Sequence, residues 1–190
     1  MDVKQLSDEQ LIELIIKKNT NVFLSEIYTR YQAKVYAKCY NMTRSKIVSS
    51  DLTQDIFLRV IEKIQAFQSK SKFSTWLYSI TYNYCIDYLR ANKRLKFDDW
   101  SKDLDIPDEV EESDMENIFA LRQERLDLLL ELLKPEDKAL LIMKYKEQMS
   151  YRTILSILKG NSEDQMKMQV NRAKKRLLAF YNQFYSSIEE

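Results

Sequence analysis

The sequence predicts an all-α protein with two small helical domains, an acidic linker between them, and a helix-turn-helix in the C-terminal domain. Three observations predict this fold class. The 190 residues include one glycine and two prolines, fewer than the tight turns of a sheet protein need. Apolar residues recur at helical spacing in several segments. Hydrophobic residues make up 45% of the chain, which is enough to form folded cores.

Polar caps and apolar stripes predict four helices in the first domain, residues 1–96. Ser7 and Gln10 have the spacing of a capping box at the first helix. The other three are expected from Val22 to about Met42, after a cap at Ser50 or Asp51, and from a cap at Ser74 to about Lys93. Their apolar stripes are Phe23, Ile27, Tyr31, Val35 and Cys39; Leu52, Ile56, Val60, Ile64 and Phe67; and Trp76, Leu77, Ile80, Tyr84 and Tyr88.

The linker covers residues 97–114, and the second domain covers residues 115–190. A long helix is expected from Met115 through Leu133. Pro135 suits the first turn of the next helix, which should reach Lys146. The last two helices are expected at Tyr151–Leu158, capped by Ser150, and from Glu163 to about Phe184, after the turn Gly160-Asn161-Ser162.

Charge is strongly segregated along the chain, although the net charge is only +1. Phe97–Glu116 has ten acidic residues and one basic residue, a net charge of −9. Lys63–Lys96 has seven basic residues and one acidic residue, and Gln165–Tyr185 has five basic residues and no acidic one. Charge that is segregated in this way indicates binding partners, and the two basic segments favour nucleic acid as the partner.

The composition excludes most enzyme classes. The chain has no histidine, which removes the commonest general base and zinc ligand. Its one glycine, Gly160, cannot form a phosphate-binding loop. Cys39 and Cys85 are expected to be buried thiols. We therefore expect no catalytic residue, no metal and no cofactor. The chain also shows no signal peptide and no apolar run of membrane-spanning length, so a cytoplasmic location is expected.

Two segments carry the candidate nucleic-acid contacts. In the C-terminal helix pair, one face of the last helix carries side chains suited to base edges and phosphates, namely Gln165, Lys167, Met168, Asn171, Arg172 and Lys175. A solvated basic face on an ordinary helical hairpin is the alternative. In the second segment, the polar loop Gln68–Lys72 precedes a tyrosine-rich helix that ends in cations, a combination that suits unpaired bases. Trp76, Ile80 and Tyr84 of that helix recur at helical spacing and are expected to be core.

The order of these motifs resembles a known family. Asp51–Arg59, then Phe73-Ser74-Thr75-Trp76-Leu77-Tyr78-Ser79-Ile80, then Asp87-Tyr88-Leu89-Arg90 resemble conserved region 2 of the bacterial sigma-70 family, in its extracytoplasmic-function group. Met149-Ser150-Tyr151 through Arg172-Ala173-Lys174-Lys175 resembles region 4 of that family, although less closely. The resemblance implies a transcription initiation factor that binds RNA polymerase core, recognises promoters and melts the −10 element.

The resemblance also implies roles for individual residues. Those expected to contact the clamp coiled coil of the largest polymerase subunit are Asp51, Gln54, Asp55 and Arg59. Those expected at the −10 DNA are Gln68, Ser69, Lys70, Ser71 and Lys72 around a flipped base, with Asn83, and Arg90, Lys93 and Arg94 on adjoining duplex. The last helix would enter the −35 element beside the β flap, and the linker would run toward the catalytic cleft and the RNA exit path. An anti-sigma factor, which holds most relatives inactive, is a further partner that the resemblance allows.

The chain departs from the family pattern at region 4. Lys159-Gly160-Asn161 predicts a longer turn, and Met168 and Gln169 stand where Ser and Arg are common. We hypothesise that −35 reading is weakened and that another DNA-targeting protein assists. The alternative function is a stand-alone helix-turn-helix transcriptional regulator, which would need to dimerise on paired half-sites. An enzyme acting on nucleic acid is disfavoured, because the acidic residues concentrate in a linker.

Overall fold

A computed structural model describes residues 3–18, 21–93 and 105–184. Within these residues the regular structure is helical and includes no strand, which confirms the all-α prediction. The helices are α1 (Asp8–Lys18), α2 (Asn21–Thr43), α3 (Lys46–Lys63), α4 (Phe73–Lys93), α5 (Glu112–Ala120), α6 (Gln123–Leu132), α7 (Pro135–Leu141), α8 (Tyr151–Leu158) and α9 (Glu163–Phe184). The chain divides into two compact units, Met1–Cys85 and Ile86–Glu190.

The first unit is built around α2, against which α1 and α3 pack. The predicted capping box opens α1: the Ser7 amide donates to Gln10 Oε1 at 2.9 Å, and the Gln10 amide donates to Ser7 Oγ at 3.2 Å. The predicted stripe of α3 is buried throughout, and that of α2 is buried from Ile27 onward. The two predicted thiols are buried and form no disulfide, with Cys85 Sγ 3.7 Å from Cys39 Sγ.

The predicted start of α3 is wrong. The cap is Ser45, whose Oγ accepts from the Val48 amide at 3.3 Å, so α3 begins at Lys46. Ser50 and Asp51 lie inside the helix. The earlier start is favoured because Ser49 is fully buried and its hydroxyl is 2.9 Å from Thr43 Oγ1, which ties the first turn of α3 to the end of α2.

The predicted face of α4 is also partly wrong. The helix begins at Phe73, so Ser74 lies in its first turn rather than at its cap. Leu77 is buried as expected, but the other members of the predicted stripe are only half-buried, namely Trp76, Ile80, Tyr84 and Tyr88. The buried hydrophobic side chains are Phe73, Leu77, Tyr82, Cys85, Ile86 and Leu89. Apolar and aromatic residues of α4 lie on all of its sides, so the periodicity of its sequence alone does not show which face is buried.

The second unit contains α5 to α9. The long helix expected through Leu133 is two helices, because the chain leaves the helical conformation at Leu121 (ψ 154°) and resumes at Gln123. Pro135 occupies the first turn of α7, as predicted, and a π-helical turn at Ile142–Lys146 continues it. The predicted cap of α8 is confirmed, since the Thr153 amide donates to Ser150 Oγ at 3.1 Å.

In the described part of the second unit, three ion pairs have at least one buried member. The ammonium of Lys138, which is 0% exposed, donates to Glu131. Lys174 Nζ, on the inner side of α9, lies 2.9 Å from Glu112 Oε2. This hydrogen bond lowers the pKa of the Glu112 carboxyl. Asp137 pairs with Arg176, but burial dominates and raises the pKa of Asp137. These pairs attach α9 to α5 and α7, and Lys138 of α7 to α6.

Candidate nucleic-acid interface

The four residues predicted to dock a protein partner share one face of α3. Asp51, Gln54, Asp55 and Arg59 are all exposed, because their spacing of three and four residues places them together on a helix. The opposite side of α3 is the buried stripe. Two apolar side chains that the sequence reasoning missed join the exposed face: Leu58 is 60% exposed and Ile61 is 48% exposed. We call these six residues the docking face.

An open groove of 380 Å³ lies beside the docking face, between α2 and α3. Two tyrosines and several small or polar side chains form it, namely Tyr28, Gln32, Ala33, Tyr36, Ser50, Thr53 and Gln54. Tyr28 is 41% exposed, although its ring meets Phe57 edge-on at a centroid distance of 4.7 Å. Gln54 belongs to both the groove and the docking face, so the two surfaces are continuous.

Tyr84 of α4 contacts two members of the docking face. Its hydroxyl donates to Asp55 Oδ2 at 2.9 Å, and the guanidinium of Arg59 lies 4.4 Å from the centroid of its ring. Partial burial and the neighbouring carboxylate raise the pKa of Tyr84, so the hydroxyl stays protonated and remains a donor at neutral pH. Sequence reasoning assigned Tyr84 to the core. Its separation of 29 residues from Asp55 gives no local signal of this contact.

The polar loop predicted to hold a base is exposed along its whole length, from Gln68 to Lys72. Aromatic rings fix its two ends. Phe67 precedes the loop and Phe73 follows it, with ring centroids 6.0 Å apart, and Trp76 packs against both at 5.1 and 5.7 Å. Ser69 has a positive φ of 53°, which produces a sharp turn within the loop. The loop therefore presents hydroxyl, amide and ammonium groups from a fixed base.

The predicted DNA contacts on α4 fall into two groups. Asn83 is exposed, and its Nδ2 donates to the Ser79 carbonyl at 2.8 Å, which orients the carboxamide. Arg90 is exposed, and its Nη1 lies 3.4 Å from Asp87 Oδ1 on the same helix. Lys93 is the last residue of α4. Its side chain lies outside the described part of the structure, and so does all of Arg94.

The outer face of α9 carries the other predicted DNA contacts. Gln165, Lys167, Met168, Asn171 and Arg172 are all exposed. Lys175 is half-buried, and its ammonium donates to the Asp108 carbonyl, so it is engaged within the chain. The inner face is buried through Met166, Val170, Ala173 and Leu177. The two faces give α9 one side that packs and one side that presents donors.

In the turn before α9, a lysine rather than the glycine has a positive φ. Lys159 has the left-handed conformation, with φ 55°, while Gly160 has no positive φ. A Cβ at Gly160 would lie 2.8 Å from Leu155 Cδ1 and 3.1 Å from Met166 Cε, so a larger residue there would require these two side-chain ends to shift. Ser162 then caps α9, with its Oγ accepting from the Gln165 amide at 3.2 Å.

Part of the acidic linker is described. Residues 105–111 are irregular and mostly exposed, and α5 begins at Glu112. Residues 97–104 lie outside the described ranges, so the route predicted for the linker remains a prediction. Across residues 3–18, 21–93 and 105–184, none of the helices has the length and apolar character that crossing a bilayer requires.

Comparison with known proteins gives consistent matches. The family described as Sigma-70 region 2 matches residues 27–95. The ECF RNA polymerase sigma factor SigW of Bacillus subtilis is 36% identical over 78 residues, which are 41% of this chain and 42% of SigW. The ECF RNA polymerase sigma factor SigM of the same organism is 27% identical over 84% of this chain and 95% of SigM. The ECF RNA polymerase sigma-E factor of Escherichia coli K12 is 29% identical over 81% of this chain and 71% of that protein.

A solved structure has the same fold. It is titled "Structure of CnrH in complex with the cytosolic domain of CnrY" and aligns with 93% of this chain and 98% of the other, with a TM-score of 0.63. The sequence identity is 15%, so the likeness concerns the fold alone.

Proposed function

We propose the following roles for the surfaces of this chain, a transcription initiation factor of the extracytoplasmic-function group of the sigma-70 family. The docking face of α3 binds RNA polymerase core. The loop Gln68–Lys72 and α4 hold the opened −10 element, and α9 meets the duplex at the −35 element. The role is one of binding and positioning, without a chemical step, in the cytoplasm.

The observation that carries the proposal is the docking face. It places two carboxylates, an amide and two exposed apolar side chains on one side of a helix whose other side is buried. A polar and apolar mixture of this kind is typical of a protein interface rather than of a DNA contact, since carboxylates repel phosphates. It also lies within the segment matched by the region 2 family. We propose the clamp coiled coil of the largest polymerase subunit as its partner.

The loop supports the assignment to single-stranded DNA. Two lysines and three uncharged polar residues are exposed between the fixed aromatic ends. Such a loop can surround one flipped base and its phosphates without a large ordering cost, because packed aromatic rings hold its two ends. Asn83 adds a carboxamide whose orientation is set by Ser79. These features fit the opened strand better than they fit duplex DNA.

The outer face of α9 supports a duplex contact. Arg172 and Asn171 are the side-chain types that form paired hydrogen bonds with base edges in the major groove. Met168, which is 55% exposed, offers no strong donor or acceptor at the centre of this face. We propose that −35 reading is correspondingly weak, that the β flap holds this unit in place, and that a second DNA-binding protein assists. Footprinting with purified holoenzyme tests this, because a sequence-specific −35 footprint without other factors would contradict it.

A stand-alone regulator is not favoured, because the relatives that match most of the chain are RNA polymerase sigma factors. An anti-sigma protein that covers the docking face is compatible with the proposal, and co-purification from the source cell would identify one.

The direct test is the substitution Asp55→Lys. It reverses a charge at the centre of the docking face, and we expect it to abolish capture of core polymerase while the thermal unfolding midpoint stays near that of the wild type. Glu9→Lys is the matched control, since it makes the same charge change at an exposed position of α1 in the same unit. Normal capture of core by Asp55→Lys would overturn the docking assignment.

A further inference from the structure

Tyr84 connects two helices to which different tasks have been assigned. It projects from α4, next to Asn83, and contacts Asp55 and Arg59 of α3. All three contacting side chains belong to the first compact unit. Tyr84 itself is only half-buried, while Asp55 and Arg59 are exposed. The cluster therefore lies at the protein surface, where α4 meets the docking face, and not in the core.

The geometry restricts two side chains that would otherwise be mobile. An exposed aspartate on a helix samples several rotamers, and an exposed arginine samples many more. The Tyr84 hydroxyl donates a hydrogen bond to one carboxylate oxygen of Asp55, with a donor–acceptor distance of 2.9 Å. The ring covers one face of the Arg59 guanidinium. The guanidinium carbon lies 4.4 Å from the ring centroid, which is within the range of a cation–π contact. One side chain thus restricts both charged groups.

We propose that Tyr84 is a positioning residue of the docking face, which holds Asp55 and Arg59 in the arrangement that the partner meets. The inference rests on the proposed docking function of α3. Its physical basis is preorganisation: side chains that are already ordered lose less conformational entropy on binding, so the complex is tighter without any new contact to the partner. Tyr84 need not touch polymerase to have this effect.

Two substitutions separate the parts of the contact. Tyr84→Phe removes the hydroxyl and keeps the ring, so the Asp55 contact is lost and the Arg59 contact remains. Tyr84→Leu removes both. We expect the Kd of the full chain for core polymerase to rise about 5-fold for Tyr84→Phe and at least 10-fold for Tyr84→Leu. Tyr88→Phe, one turn further along α4 and also half-buried, is the matched control and should leave the Kd unchanged.

A double-mutant cycle distinguishes positioning from a general structural role. Asp55→Ala removes both carboxylate oxygens and therefore the acceptor of the Tyr84 hydroxyl. If Tyr84 acts through Asp55, then Tyr84→Phe should raise the Kd in the wild-type background and have little further effect in the Asp55→Ala background. Thermal unfolding midpoints of all variants are measured alongside, and Tyr84→Phe should stay close to the wild type.

The outcomes separate this inference from the proposed function. An unchanged Kd for Tyr84→Phe, or the same rise in both backgrounds, overturns the positioning role. Failure of the wild-type chain to bind core, or normal binding by Asp55→Lys, overturns the docking function itself. If Tyr84→Phe raises the Kd only in the background that retains the Asp55 carboxylate, the result supports both the positioning role and the docking function.

Discussion

We expect the position of the loop Gln68–Lys72 to depend on Phe73. It follows the loop directly, is 0% exposed, and its ring meets those of Tyr31, Phe67 and Trp76 at centroid distances of 5.5, 6.0 and 5.7 Å. Phe73→Leu keeps most of the buried apolar volume and removes the ring contacts. Aromatic pairs contribute about 0.5–1.5 kcal/mol each beyond their area. Three contacts at the low end of that range, with a small cavity left by leucine, predict a loss of about 2 kcal/mol.

Urea unfolding measures this loss. Trp76 and Trp100 are the two tryptophans of the chain, so a Trp100→Phe background makes the fluorescence report on the ring cluster alone. With a urea dependence of about 1–2 kcal/mol per molar, as small domains show, the midpoint should fall by about 1–2 M. Phe23→Leu, at a half-buried position of α2, is the matched control and should cost less. A loss below about 0.5 kcal/mol for Phe73→Leu would refute the view that the rings anchor the loop.

Three further predictions concern the second unit. The lowered pKa of Glu112 stabilises the folded state above the usual carboxyl pKa of about 4.3, and the gain is lost as pH falls through the folded value. Glu112→Gln should therefore cost about 0.5–1 kcal/mol at pH 7 and almost nothing near pH 3, as seen by urea unfolding at both pH values. Lys138→Met, which replaces a fully buried ammonium, should be neutral or stabilising by about 1 kcal/mol, whereas Glu131→Leu should cost about 2 kcal/mol; the opposite order in thermal unfolding would contradict this. Arg172→Ala should weaken −35 binding by the holoenzyme by about 1–3 kcal/mol in gel-shift titrations, and no change would remove Arg172 from the interface.

Local signals predicted the helices well where a cap and an apolar stripe agreed. The capping box of Ser7 and Gln10, the cap at Ser150, and Pro135 in the first turn of α7 all follow from chemistry within a few residues. The boundary of α3 could not be predicted in the same way. Ser45, Ser50 and Asp51 can each cap a helix, and the choice is made by burial of Ser49 against Thr43 of α2. That is a tertiary contact, which the local sequence does not reveal.

The break between α5 and α6 was missed for a related reason. Leu121 and Arg122 are ordinary helix formers, and no glycine or proline marks the position. The chain leaves the helix there, and both Ile118 before the break and Leu126 after it are buried. Burial on both sides outweighs a propensity difference of less than 1 kcal/mol per residue.

The candidate site, too, could be predicted from the sequence only in part. The exposure of Asp51, Gln54 and Asp55 followed from their spacing opposite the buried stripe of α3. The position of Tyr84 did not, because α4 has apolar residues on all sides and the contact with Asp55 spans two helices. Spacing can predict which side chains share a face, but it cannot predict which side chain of another helix holds them.

The function proposed for this chain is to direct RNA polymerase to promoters. The most direct measurement is reconstitution of the purified chain with core polymerase on a library of random DNA templates, followed by sequencing of the transcript starts. We expect transcripts only when both components are present, with a shared −10 sequence upstream of the starts and loss of these transcripts for Asp55→Lys. Starts without a shared upstream sequence, or the same starts from core polymerase alone, would contradict the claim.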